Sequence, residues 1–177
     1  MSTPQLVPSA ALPTLRFVAA QPQHHAAIAA LITTPEELFL VHPAGHFPWD
    51  DAQIAGLAAS REQLTVGLLE DEVVAFANLY QVQPGVSAFI GNVIVAEAAK
   101  GRGIGQALVA HMVALCRQKL AAEPRLSVFS ANSRALLLYS KLGFVPYGVE
   151  PRQDWHGNTL ALIHMRHSLP DAVDAGI

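Results

Sequence analysis

The sequence predicts one α/β domain in which a mixed, mostly antiparallel sheet is flanked by helices. Apolar residues make up 51% of the 177 positions and charged residues only 14%, a balance that favours a buried core over a disordered chain. The middle of the chain holds successive strand-like runs joined by short polar segments, and the C-terminal half alternates between strand and helix patterns. No internal repeat, low-complexity tract or linker divides the chain.

The elements follow in order. Residues 1–14 carry three prolines and no basic residue, so they read as a flexible tail rather than a secretory signal. Leu15 to Ala19 reads as a strand, and His24 to Ile32 as an Ala-rich helix that ends before Pro35. Val41 to Trp49, with prolines, a glycine and aromatics, reads as an irregular loop before a helix starting at Asp50 or Asp51. Leu64–Leu69 and Val73–Tyr80 are strand-like and joined by a turn at Glu70-Asp71-Glu72; Ser87–Val95 is the next strand. From Gly103 the period becomes helical, with Ile104, Leu108, Met112 and Leu115 on one face. Pro124 closes that region. Leu126–Phe129 then reads as a strand, Asn132–Leu142 as a helix closed by Gly143, and Val145–Val149 and Thr159–Arg166 as strands. The domain spans 15–168, and 169–177 reads as a second tail.

Composition also excludes function classes. A formal charge of −3 without a Lys/Arg block provides no footprint for nucleic acid. No apolar run approaches the roughly 18 residues that span a bilayer, so no membrane role is expected. The single cysteine, Cys116, cannot form an internal disulfide, lies in an apolar helical pattern and suits a cytoplasmic protein. As an acyl-carrying nucleophile it would need an activating partner that its surroundings do not supply. His42 and His46 are four residues apart, but Pro43 and Gly45 oppose the helix that would pair them as ligands, and no metal is expected.

The strongest chemical signal is the run Val93 to Gly105, a strand, a glycine-rich turn and a helix start. Gly101, Gly103 and Gly105 let the backbone approach a ligand, and the N–H groups and dipole at a helix start attract an anion, with Lys100 and Arg102 adding charge. Glycines in such a turn also serve helix–sheet packing. Two nucleotide motifs fail here: no Gly-Lys-Ser/Thr follows, and the next strand closes on Phe129-Ser130-Ala131-Asn132 without the acidic residue of a dinucleotide site.

The turn Lys100 to Gly105 resembles the Arg/Gln-x-x-Gly-x-Gly/Ala signature of the GNAT superfamily of N-acetyltransferases. The run Asn132-Ser133-Arg134-Ala135-Leu136-Leu137-Leu138-Tyr139-Ser140-Lys141-Leu142-Gly143-Phe144 resembles that family's Asn-x-x-Ala-x-x-Leu-Tyr-x-x-x-Gly-Phe segment. The resemblance covers 15–167 in element order and is sharp from Val93 to Phe144. It implies a GNAT-like fold and an enzyme that moves an acetyl group from acetyl-coenzyme A to a primary amine, on a small molecule or a protein. It further implies that amides of Arg102, Gly103, Ile104 and Gly105, with Lys100 and Gly101 beside them, hold the pyrophosphate. Backbone groups of Val93 and Val95 would pair with the pantetheine arm, and the Val95 N–H would steady an oxyanion. Relatives often form homodimers.

Tyr139 is the candidate general acid. It lies seven residues after Asn132, two turns at about 3.6 residues per turn, so both share a helix face. A phenol near pKa ~10 can protonate a departing thiolate; the alternative is a sheet-packing aromatic. Asn132 is expected to cap its helix and to contact the cofactor. Lys100 departs from the usual arginine or glutamine, which leaves the backbone cradle intact. Asn92 stands where some relatives carry glutamate, and the amine proton is expected to pass either to water relayed by Asn92 or to a residue outside the two motifs; Glu97 reads as a solvated turn residue. The aromatic-rich group Phe39, His42, His46, Phe47 and Trp49 is either a wall of the acceptor pocket or a minor core cluster. A coenzyme A-binding regulatory module without turnover is the alternative function.

Overall fold

The computed structural model describes residues 14–168. The tails expected at 1–14 and 169–177 lie, apart from Thr14, outside the described residues. β1 (Leu15–Ala19) leads through a 3-10 turn into α1 (His25–Ala29), α2 (Pro35–Val41) and α3 (Asp51–Ser60). Then come β2 (Glu62–Leu69), β3 (Glu72–Gln83), β4 (Ser87–Val95), α4 (Ile104–Leu120), β5 (Glu123–Phe129), α5 (Ser133–Lys141), β6 (Phe144–Gln153) and β7 (Thr159–His167). The seven strands form one sheet in the order β1-β2-β3-β4-β5-β7-β6, and only β4 and β5 run parallel. The mixed, mostly antiparallel sheet expected from sequence is present.

Local chemistry accounts for the departures. Sequence reasoning passed over α2, whose start is capped by the Thr34 side chain accepting from the Glu37 N–H at 3.2 Å, with Pro35 in the first turn. The β2–β3 turn is two residues long, not three: Glu70 and Asp71 both take positive φ and Glu72 already pairs with Leu69. Pro124 lies inside β5, opposite Ala88, rather than ahead of the strand. Leu115 is only partly buried on α4, where Ile104, Leu108, Val109, Met112 and Cys116 form the inward face.

The sheet buries both faces. On one, α4 and α5 cover Ala75, Ala77, Leu79, Ile90, Leu126 and Val128. On the other, α1 to α3 and Trp49 cover Val66, Leu68, Phe76 and Ile94. Alternation along β3 explains the split, since residues 75, 77 and 79 face one layer and 76 the other.

The feature that shapes the molecule is where β4 leaves β5. Their pairing runs only from Ser87 opposite Glu123 to Ile90 opposite Leu126, after which both strands continue without pairing. Just beyond the last pair, β4 carries a bulge. The register against β3 shifts between Phe76 and Asn78, and Asn92 adopts a left-handed φ of 49°. Gly91 lies under the Tyr80 ring, where a Cβ would come within 2.9 Å of Tyr80 Cδ1 and 3.2 Å of Asn78 Oδ1. Gly91→Ala should therefore destabilise the fold by about 1–3 kcal/mol in urea unfolding. Gly56→Ala, in an exposed turn of α3 with nothing within 4 Å, should stabilise it by about 0.5–1 kcal/mol in the same assay.

Candidate active site

The gap between the diverging strands opens into two cavities. One, of about 520 Å³, runs along the second half of β4, the glycine-rich turn and the start of α5. The other, of about 480 Å³, lies toward α2 and the loop after it, over Tyr80, Gly91, Asn92 and Ser127. The two share Leu40, Val41, Val93, Asn132 and Tyr139, so these residues stand where the cavities meet.

β4 presents its backbone to the first cavity. The Ala96 N–H donates to the Val74 carbonyl at 2.8 Å, so alternation turns the N–H and C=O groups of Val95 and Val93 away from β3 and toward the gap. That exposed edge suits an extended, amide-bearing ligand. Below it, Gly101 and Gly103 take φ of 77° and 79°, and a Cβ at either would meet nothing within 4 Å. They are glycines for their backbone angle, not for crowding. Gly103 is the N-cap of α4, provides no capping side chain, and no acidic residue occupies the first turn. The Ile104 and Gly105 N–H groups at the positive helix end are therefore available to an anion. Gly105 serves packing, since its Cβ would lie 3.4 Å from Leu138 and 3.6 Å from Val95. Arg102 is exposed beside the turn. Lys100 is not simply an added charge there, because its ammonium pairs with Glu97 and lies 3.8 Å from Glu37. Glu97, read as a merely solvated residue, is thus an exposed ion-pair partner.

α5 carries Asn132 and Tyr139 as their spacing predicts. The Asn132 Oδ1 accepts from the Ala135 N–H at 3.2 Å and caps the helix. Tyr139 is 6% exposed and packs its ring 6.0 Å from Phe144. Burial, with Tyr80 adding to it, raises the Tyr139 phenol well above its ordinary pKa, so it keeps its proton at neutral pH. Asn92 is buried with its amide engaged at both ends. Its Oδ1 accepts from Asn78 Nδ2 at 2.7 Å, and its Nδ2 donates to the Val41 carbonyl at 2.8 Å, which ties the bulge to the end of α2.

The aromatic-rich group divides. Phe39 and His42 line the second cavity, Phe39 stacking on Phe129 at 4.9 Å. His46 and Phe47 line an adjoining open cleft against α3, which shares His42, Ala44 and Arg61 with the second cavity. Trp49 is 5% exposed and belongs to the core, its ring 6.5 Å from Phe76. Phe39 and His42 thus line a cavity, whereas Trp49 belongs to the core cluster. Burial, with Arg61 adding to it, lowers the His42 pKa, so this imidazole is neutral at neutral pH. Cys116 is fully buried and its thiol is pushed up to about 11 by burial, which leaves it inert.

Sequence reasoning missed several residues of the second cavity, among them Arg61, Tyr80 and Ser127. These three come from the end of α3, from β3 and from β5. They converge only because the sheet brings those strands together. Among the described residues no group of three or more His, Cys, Asp or Glu could hold a metal, and no helix is long and apolar enough to cross a membrane.

Comparison with known proteins agrees with this architecture. The fold is similar to that of the ribosomal-protein-S18-alanine N-acetyltransferase from Escherichia coli, with a TM-score of 0.67 and 21% identity over 90% of this chain and 98% of that one. It is similar to a ribosomal-protein-alanine N-acetyltransferase from Brucella melitensis, with a TM-score of 0.69 and 21% identity over 87% and 99%. It is also similar to a GNAT family acetyltransferase from Elizabethkingia anophelis, solved with acetyl-CoA bound, with a TM-score of 0.61 and 19% identity over 89% and 98%. No curated protein matches the sequence. The model of the Acetyltransferase (GNAT) family matches residues 25–144, which is 120 of the 177 residues and contains both the glycine-rich turn and the α5 segment. The chain belongs to the acetyltransferase (GNAT) family and is an acetyl-CoA-dependent N-acetyltransferase.

Proposed function

We propose that the protein acetylates a primary amine by direct attack, with acetyl-CoA along β4 and the glycine-rich turn, the acceptor in the cavity under α2, and Tyr139 as general acid. The observation that carries this reading is that Tyr139 lines both cavities at their junction. The first cavity fits the cosubstrate: it offers an unpaired strand edge at Val93 and Val95 and unblocked amides from Arg102 to Gly105, with Lys100, Gly101 and Asn132 at its walls. Acetyl-CoA supplies an acetyl group activated as a thioester.

The chain's own groups divide the remaining work. The Val95 N–H donates to the oxygen on which charge develops, an interaction strongest in the transition state. Tyr139 holds a proton that its buried phenol gives up to the departing sulfur. The acceptor cavity has the unpaired Arg61 in its walls and, among the described residues, no carboxylate, so it favours the neutral amine, which is the nucleophilic form. His42 is the group in those walls that is both basic and neutral at neutral pH, and we assign it to take the proton that the nitrogen sheds as the C–N bond forms. Asn92, the sequence candidate for a proton relay, is assigned to hold the bulge, because its amide oxygen and nitrogen are both hydrogen-bonded to the scaffold.

Tyr139→Phe should lower kcat about 100-fold while leaving acetyl-CoA affinity by calorimetry and the unfolding midpoint near wild type. A folded variant with full kcat would rule out the general-acid role. For His42, the lowered pKa fixes the sign: the imidazole is protonated only at acid pH, so kcat at saturating acceptor should fall on an acid limb whose midpoint lies below about 6.5. His42→Gln should remove that limb and lower the plateau; an unchanged profile would discard His42 as the proton acceptor.

A further inference from the structure

Arg61, at the C-cap of α3, reaches the acceptor cavity with its guanidinium stacked over the Tyr80 ring, 4.4 Å from the centroid. The residue is half-buried, yet among the described residues no side-chain hydrogen bond or ion pair involves its guanidinium. A guanidinium has five N–H donors in a rigid fork and stays charged at any physiological pH. Half-burying such a group without an ionic partner carries a cost that water and a stacked tyrosine offset only in part. Tyr80 is no counter-ion, because burial raises its phenol and keeps it neutral. The other guanidinium at this cavity, Arg152, is already held by Glu150 at 2.7 Å on an exposed strand. Arg61 is therefore a half-buried, unpaired fork facing a cavity whose walls, among the described residues, hold no carboxylate.

The described walls supply no counter-charge for Arg61, so a ligand that carries one would complete the fork in place of water. An ammonium group would be repelled by Arg61, so the part of the acceptor that docks there differs from the part that reacts. A carboxylate matches the fork geometrically, accepting two parallel N–H bonds, and it gains more in a covered site than at the surface. The cavity, about 480 Å³, has room for a molecule of amino-acid size. We propose that Arg61 is the specificity-determining residue and that the acceptor is a small amine bearing a carboxylate, docked on Arg61 so that its nitrogen extends toward the Tyr139 junction. This rests on the acetyl-transfer reading above and names its substrate class.

The test pairs each free amino acid with the amine that lacks its carboxylate, for example phenylalanine with phenethylamine and leucine with isoamylamine, and follows thiol release from acetyl-CoA. The wild type should favour the acid over its partner by at least tenfold in kcat/KM. Arg61→Gln should collapse that ratio toward one mainly through the KM of the acids, leaving the KM of acetyl-CoA unchanged, and Arg61→Lys should restore part of it. Equal or better turnover of the decarboxylated amines, activity confined to peptide or protein amines, or an unaltered ratio in Arg61→Gln would overturn the proposal. Calorimetric titration of the same acids into the protein saturated with coenzyme A reads the contact without turnover. Acids that bind wild type and not Arg61→Gln support the assignment even if nothing is acetylated, in which case only the transfer reading fails. If no acid binds while other amines are acetylated, Arg61 does not select a carboxylate.

Discussion

Everything this molecule offers to a ligand depends on β4 parting from β5 beyond Ile90 and Leu126. A parallel pair that continued would satisfy its own backbone groups and leave no opening. Instead, the bulge at Asn92 turns β4 aside, and the price is an unpaired strand edge in the middle of a sheet. The buried Asn78–Asn92–Val41 chain of hydrogen bonds holds this geometry, and Gly91 leaves room for the Tyr80 ring beside it. A polar network at that depth is worth keeping only where a specific backbone shape is required.

One parting of strands opens two adjoining cavities that share Leu40, Val41, Val93, Asn132 and Tyr139. The cavity beside α4 and α5 has open backbone donors and a helix N-terminus, features that hold a phosphate-bearing chain without side-chain specificity. The cavity under α2 is built from side chains, and its charge is set by Arg61 rather than by the backbone. In the proposed reading, cosubstrate binding depends on backbone shape and acceptor choice on a few replaceable side chains. Tyr139 connects the two because α5 lies on one face and its ring reaches the gap.

Much of the first cavity was legible in the sequence because its signals are local. Closely spaced glycines opening a helix, and Asn132 two turns before Tyr139, are each contained within a dozen residues, and both lie where the spacing requires. α2 was also locally signalled, by Thr34-Pro35-Glu36-Glu37, but Pro35 was read as a stop rather than as a first-turn proline. The acceptor cavity was far less legible. Arg61 follows a helix and precedes Glu62 with no local motif around it, and its meaning arises only from Tyr80, which is close in space and distant in sequence. Aromatic content could not separate Trp49, which packs inward on Phe76, from Phe39, which packs on Phe129 at the cavity wall. Nor could it show that Lys100 faces Glu37 across the groove.

The central claim is that the gap beside β4 and the glycine-rich turn hold acetyl-CoA. Its most direct test is calorimetric titration of acetyl-CoA into wild type and into a Gly103→Gln variant shown to be folded by its thermal transition, since a side chain there strains the left-handed turn and crowds the amides at the start of α4. The account predicts saturable one-to-one binding to wild type, weakened at least tenfold in the variant. Absence of binding to folded wild type, or equal binding by both proteins, would contradict it.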